Sequence, residues 1–239
     1  MFKKLPLVLL LVPLVLNAAD EVEPTPNGWT GEGALGFTST SGNSDTENLR
    51  ARLAFSRESD QWRHTASLDS IKNETDDETT ADSQVLKGRS EYKFGEKSYT
   101  FGQLRLEDDE FSGYEYQRTL TFGVGSRFIE NDKHLLDTSI GLGYRSLKDR
   151  ETGDTEEDNI VTADVKYEYK ISETATFIQT ILIEDGDENT YTESDTSLKI
   201  RIVGNLAAKI SYLVKRNSEV PAGIDKSDKI TTVSLVYAF

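Results

Sequence analysis

Two histidines and no cysteine in 239 residues leave this chain few routes to covalent chemistry. Without thiols there are no disulfides, iron–sulfur clusters or thiolate zinc sites. His64 stands two residues after Trp62, and His134 follows the turn-forming run Glu130-Asn131-Asp132. An acyl-transfer enzyme would pair such a base with a nucleophile, but the chain holds no Gly-x-Ser-x-Gly elbow. A His beside a Trp reads as an interfacial side chain before it reads as a base. The expectation is no catalytic residue and no enzyme activity.

Acidic clusters offer the next chemistry, hard-cation binding. They are Asp76, Asp77 and Glu78; Glu156, Glu157 and Asp158; and Asp185, Asp187 and Glu188. The run Asp185-Gly-Asp-Glu-Asn189 opens like an EF-hand loop. It then has Thr190 where the sharp turn needs Gly, and Thr196 where the bidentate Glu belongs. Solvated loops are the simpler reading, with diffuse Ca²⁺ or Mg²⁺ bridging to lipid phosphates as the alternative. No metal site and no cofactor is expected.

Basic residues form the third set. Arg50, Arg52, Arg89, Arg105, Arg145 and Arg201 all alternate with apolar neighbours, as do Arg63, Lys87, Lys93, Arg127, Lys166, Lys199, Lys209 and Lys215. The acids in the same phase are Asp69, Glu91, Glu107, Glu115, Asp137, Asp164 and Glu168. That basic set is about twice as large, in a chain with 27 Lys plus Arg, 42 Asp plus Glu and a net charge of −15. Read as packing, these side chains fill an interior with ion pairs. Read as function, they line a narrow anion-preferring pore.

The elements that would position them are strands. Period-two alternation recurs in segments of about ten or more residues, the length a tilted strand needs to cross a bilayer. Twelve such segments lie at 29–40, 46–58, 61–72, 83–94, 98–107, 114–129, 133–146, 159–170, 175–184, 192–203, 207–216 and 226–239. The ninth has apolar residues on both faces, so its facing stays open. Connections alternate between tight turns, such as Gly95-Glu96-Lys97 and Gly204-Asn205-Leu206, and longer acidic loops. Short turns on one side and long loops on the other are the pattern of an outer-membrane barrel. The segment Lys226–Phe239 ends on Tyr237 and Phe239, two positions apart. In such a barrel the last strand must pair with the first, because an open edge in hydrocarbon leaves backbone groups unsatisfied. Tyr237 and Phe239 are therefore read as an assembly signal.

The amino terminus points to the same compartment. Lys3 and Lys4 precede an apolar run, Leu5–Leu16, and small residues follow at Ala18 and Ala19. This reads as a secretory signal peptide over residues 1–19. Residues 20–28 then form a flexible periplasmic lead-in, and residues 29–239 the barrel. The acidic balance argues against a nucleic-acid partner.

Several stretches carry a family likeness. They are Thr40-Ser-Gly-Asn-Ser-Asp-Thr46, Glu107-Asp-Asp-Glu-Phe-Ser-Gly-Tyr-Glu-Tyr116, Glu188-Asn-Thr-Tyr-Thr-Glu193 and Tyr212-Leu-Val-Lys-Arg-Asn-Ser-Glu-Val-Pro221. Together they resemble the YdiY-type salt-induced outer-membrane proteins, a domain of unknown function. The resemblance implies an outer-membrane β-barrel with a link to salt or envelope stress, and brings no catalytic or ligand residues.

The combined expectation is an all-β, transmembrane, antiparallel up-and-down barrel of about twelve strands in the bacterial outer membrane. It would be a non-enzymatic envelope protein, either a narrow anion-preferring channel or a sealed structural barrel. An outer-membrane lipid hydrolase is the third and weakest reading. Expected partners are outer-membrane lipid and lipopolysaccharide, together with the barrel assembly machinery, for a monomer.

Overall fold

The computed structural model describes residues 28–40, 46–75, 78–109, 114–150, 152–187, 189–220 and 226–239. The segment read as a signal peptide and nearly all of the lead-in lie outside them, as do residues in six of the connections between strands. Twelve strands follow in chain order: β1 (Trp29–Thr40), β2 (Thr46–Glu58), β3 (Trp62–Thr75), β4 (Glu78–Lys93), β5 (Ser98–Asp109), β6 (Tyr114–Glu130), β7 (His134–Asp149), β8 (Thr155–Lys170), β9 (Ala175–Asp185), β10 (Thr190–Val203), β11 (Leu206–Asn217) and β12 (Ser227–Ala238). Each pairs antiparallel with the next, and β12 returns to β1, closing the sheet. The all-β twelve-strand barrel read from the alternation is the fold.

The alternation forms this barrel because its two faces meet different media. Leu35, Phe37, Leu53, Phe122, Ile140, Leu142, Val161 and Leu235 point outward and are exposed. Arg105, Glu107, Asp137, Arg145 and Glu184 point inward and are buried. A water-soluble barrel would reverse this arrangement. An apolar outside and a charged inside match a bilayer. At the short-turn end the outward face carries an aromatic belt, including Trp29, Trp62, Tyr92, Phe94, Phe128 and Phe239. Such amphipathic rings suit the membrane interface.

Strands at the long-loop end outrun the sequence reading. β3 continues to Thr75 and β4 begins at Glu78, leaving two residues between them instead of a ten-residue loop. β7 and β8 likewise extend to Asp149 and from Thr155. Pairing continues because it satisfies backbone groups that a loop would leave to water. The short turns are as expected, and the two-residue β10–β11 turn holds Gly204 at φ +50°, in the left-handed region that such hairpins require.

Facing in β9 is settled by its neighbours. Thr162 of β8 pairs with Glu184, and both are buried inside. Ile178, Thr180 and Leu182 share that inner face, whereas Phe177, Gln179, Ile181 and Ile183 alternate with them and face outward.

Candidate functional site

The barrel encloses a cavity of about 1330 Å³. Glu58, Glu130, Glu173, Thr174, Gly204 and Asn205 line it at the short-turn end, so that end is its mouth. Its deeper walls come from β2, β3, β4, β9, β10 and β11. On the opposite side, inward glycines on β6 and β7 admit bulky neighbours. A Cβ at Gly125 would lie 2.3 Å from the Tyr99 ring, and one at Gly123 would lie 2.7 Å from Phe101. The bore is therefore off centre.

The six arginines singled out by their alternation occupy three places. Arg50, Arg52 and Arg89 line the cavity. Arg201 stands at its mouth and donates to the Glu173 carbonyl at 2.8 Å. Arg105 and Arg145 lie beyond the cavity's far end, 1% and 0% exposed. Tyr237 and Phe239 stack on the outward face at a centroid separation of 6.5 Å.

Most lumenal cations are held by carboxylates. Arg52 donates to both Asp69 oxygens at 2.8 and 2.6 Å. Arg63 donates to Glu91 at 2.6 Å and to Asp137 at 3.0 Å. Arg89 donates to Glu91 at 2.7 Å, and its guanidinium lies 3.7 Å from the Phe101 ring centroid. Lys87 reaches Glu193 at 2.9 Å, and Lys199 reaches Glu32 at 2.5 Å.

The expected excess of base over acid is not found. Eleven Lys or Arg and eleven Asp or Glu line the cavity. The reading missed Glu32, Glu58, Glu193 and Asp195 on its walls, and Glu184 in the seal. Glu193 and Asp195 have the same parity as Lys199 and Arg201, so the alternation itself could have found them. Glu184 hid in the ambiguous ninth strand. Glu115 errs the other way: a register shift between Tyr114 and Tyr116 turns it out of the lumen, where it pairs with Lys148.

Toward the long-loop end the lumen is shut by a buried polar layer. Arg105 pairs with Glu107, donates to the Tyr191 hydroxyl at 2.8 Å and lies 3.8 Å from Glu184. Lys215 donates to Glu107 at 2.7 Å. Above them Arg145 donates to Asp158 at 2.9 Å and to the Asn189 carbonyl at 2.5 Å. Asn189 in turn donates to Asn217 at 2.7 Å. The β9–β10 connection is thus latched across the bore. A Cβ at Gly186 would fall 2.0 Å from an Asp158 carboxylate oxygen, so the latch needs glycine there.

Both histidines sit outside the barrel at the short-turn rim. His134 stacks on Tyr169 at 4.8 Å and shares a 2.9 Å hydrogen bond with the Tyr167 hydroxyl. His64 stacks on Trp62 at 5.6 Å, and its Nδ1 lies 2.9 Å from Ser90 Oγ. A Ser–His contact is half of a hydrolytic arrangement. A triad also needs a third group on the other ring nitrogen and an oxyanion hole, and neither is present in the contacts of His64 among the described residues. No group of three or more metal-ligating side chains forms among the described residues either. Asp185 instead accepts from the Thr190 hydroxyl at 2.5 Å, and Asp158 from the Asp187 amide at 3.1 Å.

Comparison with known proteins agrees with this architecture. Residues 33–239 match the family model described as "Protein of unknown function, DUF481". The chain belongs to that family. A relative, the uncharacterised protein YdiY of Escherichia coli (strain K12), is 25% identical over 229 residues, covering 94% of this chain and 88% of that one. Among solved structures, an outer membrane channel from Pseudomonas putida F1 superposes with a TM-score of 0.55 at 9% identity, covering 92% of this chain and 97% of that one. The translocator domain of the autotransporter NalP from Neisseria meningitidis gives 0.52 at 13% identity, covering 91% and 90%. At such identities these likenesses concern the fold: this family member has the architecture of outer-membrane β-barrels.

Proposed function

We propose that this chain is a non-enzymatic barrel of the bacterial outer membrane, with its short-turn end in the periplasm. Its lumen is open to the periplasm and shut toward the outside at rest. One observation carries the reading: a cavity of about 1330 Å³ opens among the short turns and stops beneath the buried Arg105–Glu107–Lys215 layer. A purely structural barrel has no need of so large an open interior. A constitutive porin has no need of a latched, fully buried seal. A narrow conduit gated by the β9–β10 connection fits both features. The balanced wall supports no strong preference for anions over cations. A role in salt or envelope stress follows only from the family resemblance and belongs to the proposal. So do a monomeric state, contact with lipopolysaccharide and insertion by the barrel assembly machinery.

The test is planar-bilayer conductance of the purified full chain. Wild type should show little or no current, and Gly186→Val or Arg145→Ala should open it. If all three stay silent while folded, the sealed structural barrel replaces the conduit.

A further inference from the structure

Two lysines stand face to face inside the barrel, and only one of them is neutralised. Lys199 of β10 lies directly opposite Lys209 of β11, and both line the cavity. Like charges directly opposite on paired strands are destabilising. Lys199 turns to Glu32 at 2.5 Å. Lys209 makes no ion pair within 4 Å among the described residues. The charged groups that act on it are Asp195 and Glu32, countered by Arg52 and Arg50.

The same lumenal row continues across the closing strands. Lys209 pairs in register with Ser234, Ser234 with Gly36, and Gly36 with Arg50. Only a serine and a glycine thus separate two cations on one row. Arg50 is held loosely, 3.4 Å from Ser211 and 3.7 Å from both Asp195 and Asp69. Asp69 is already taken by Arg52 at 2.6 Å. The cluster therefore holds four bases, Arg50, Arg52, Lys199 and Lys209, against three acids, Glu32, Asp69 and Asp195, all of them lining the cavity. One positive charge is left over here, although the wall as a whole is balanced. One rung deeper, Ser197 faces Ser211. Ser197 is 3% exposed and lines the cavity, and its Oγ has no hydrogen-bond partner among the described residues. Buried hydroxyls are ordinarily paired, so this one marks a place for an acceptor. Carbon is at hand as well. Ile71 lies opposite Arg50 and Leu213 opposite Asp195, and both line the cavity.

We propose that this part of the lumenal wall binds a small organic solute with one carboxylate and an apolar body, admitted through the short-turn mouth. The carboxylate bridges Lys209 and Arg50, with the Ser197 hydroxyl as a further donor, and the body lies along Ile71 and Leu213. Binding exchanges the weak Arg50–Asp195 contact for charge-assisted hydrogen bonds and neutralises the residual charge. A single negative charge is what the cluster lacks, so a dianion would exceed it. This rests on the lumen reading above and adds what the lumen holds beneath its seal.

The experiment is isothermal titration of the purified full chain in detergent with hexanoate, with hexanamide as the neutral control and sulfate as the dianion. Titrations into empty micelles are subtracted, and heat-dependent gel mobility confirms that each variant is folded. Hexanoate should bind the wild type, and the two controls should not. Lys209→Gln should weaken binding about tenfold, the loss of one hydrogen bond to a charged group. Asp195→Asn removes the acid that competes for both cations and should tighten binding several-fold, a gain that damage to the fold does not produce. Hexanoate that binds wild type and Lys209→Gln alike, or binds neither, would overturn the site. Equal binding by hexanamide would overturn the carboxylate, and tighter binding by sulfate the single charge. A thiol at Ser67, which lines the same cavity in a chain without cysteine, reports on the lumen alone. If it reacts with a water-soluble reagent while hexanoate fails to bind, the lumen reading survives without the site. If it is inert, both fall.

Discussion

Phe239 is locked onto Gly31 from two directions. The Gly31 amide donates to the Phe239 carbonyl at 2.6 Å, and the Phe239 amide donates to the Gly31 carbonyl at 2.9 Å. The ring then covers the glycine so closely that a Cβ there would lie 2.3 Å from it. Phe55 meets the same ring edge-on at 6.1 Å. Closure thus depends on a large residue at one end of the chain and the absence of a side chain at the other.

Phe239→Asp should therefore abolish closure as well as the proposed assembly signal. The ring pair with Phe55 alone contributes about 1 kcal/mol. Gly31→Val should do comparable harm by displacing the ring. Both should reduce folded barrel in the outer membrane, read as loss of the heat-modifiable gel band. Normal levels of either variant would separate the ring from closure.

The seal gives a stability prediction. Arg105→Met leaves Glu107 and Glu184 buried without their main cation, at a cost of about 3–5 kcal/mol. Lys215 still holds Glu107, so Glu184 is the more exposed to this loss. Adding Glu184→Gln should recover part of it. Thermal unfolding in detergent is the measurement, and an additive double variant would show that the two residues do not communicate.

Sidedness is set by the proposed orientation, which puts the short turns in the periplasm. A cysteine at Asp187 should react with an impermeant thiol reagent on intact cells, and one at Glu96 only after the outer membrane is opened. The opposite outcome would invert the barrel.

Selectivity should be weak once the latch is open. In a Gly186→Val background, reversal potentials should lie near zero in a salt gradient, because acids and bases line the cavity in equal number. Changing Arg52 and Arg89 to Glu should shift them toward cations. Strong anion selectivity in the parent would mean that the wall's pairing is not what sets permeation.

His64→Ala, His134→Ala and Ser90→Ala should leave lipid acylation unchanged, alone or together. Their rim contacts are with aromatic and hydroxyl groups that suit a membrane interface. A change in lipid composition that needs His64 and Ser90 together would revive the hydrolase.

Alternation and turn chemistry made the barrel legible, because period two survives any local irregularity that does not shift register. β1 and β2 run from Trp29 to Thr40 and from Thr46 to Glu58, as read. What failed was charge bookkeeping at places where parity is locally unreadable. The bulge at Tyr114/Tyr116 turned Glu115 outward. β9, apolar on both faces, concealed Glu184. Asp158 was assigned to a loop and instead sits buried beneath Gly186. The end of the β1–β12 ladder at Gly36↔Ser234 had no sequence signal, since Phe37 and Val233 beyond it alternate as well as any paired residues. Pairing across a closure depends on the relative tilt of strands almost two hundred residues apart, which no local pattern encodes.

The paired extensions of β7 and β8 bear on how a cell presents this protein. Past Leu142 and Val161, the last strongly apolar outward pair, the two strands stay in register through Lys148↔Thr155. At about 3.4 Å per residue and allowing for tilt, that is a post roughly 15 Å tall. In the proposed orientation, what meets an antibody or a phage is a stiff three-stranded blade, since β6 stays paired to β7 up to Tyr114↔Asp149, with Glu156 and Glu157 along its side. Serum raised against boiled chain should bind intact cells poorly, and serum raised against the folded barrel should bind them well.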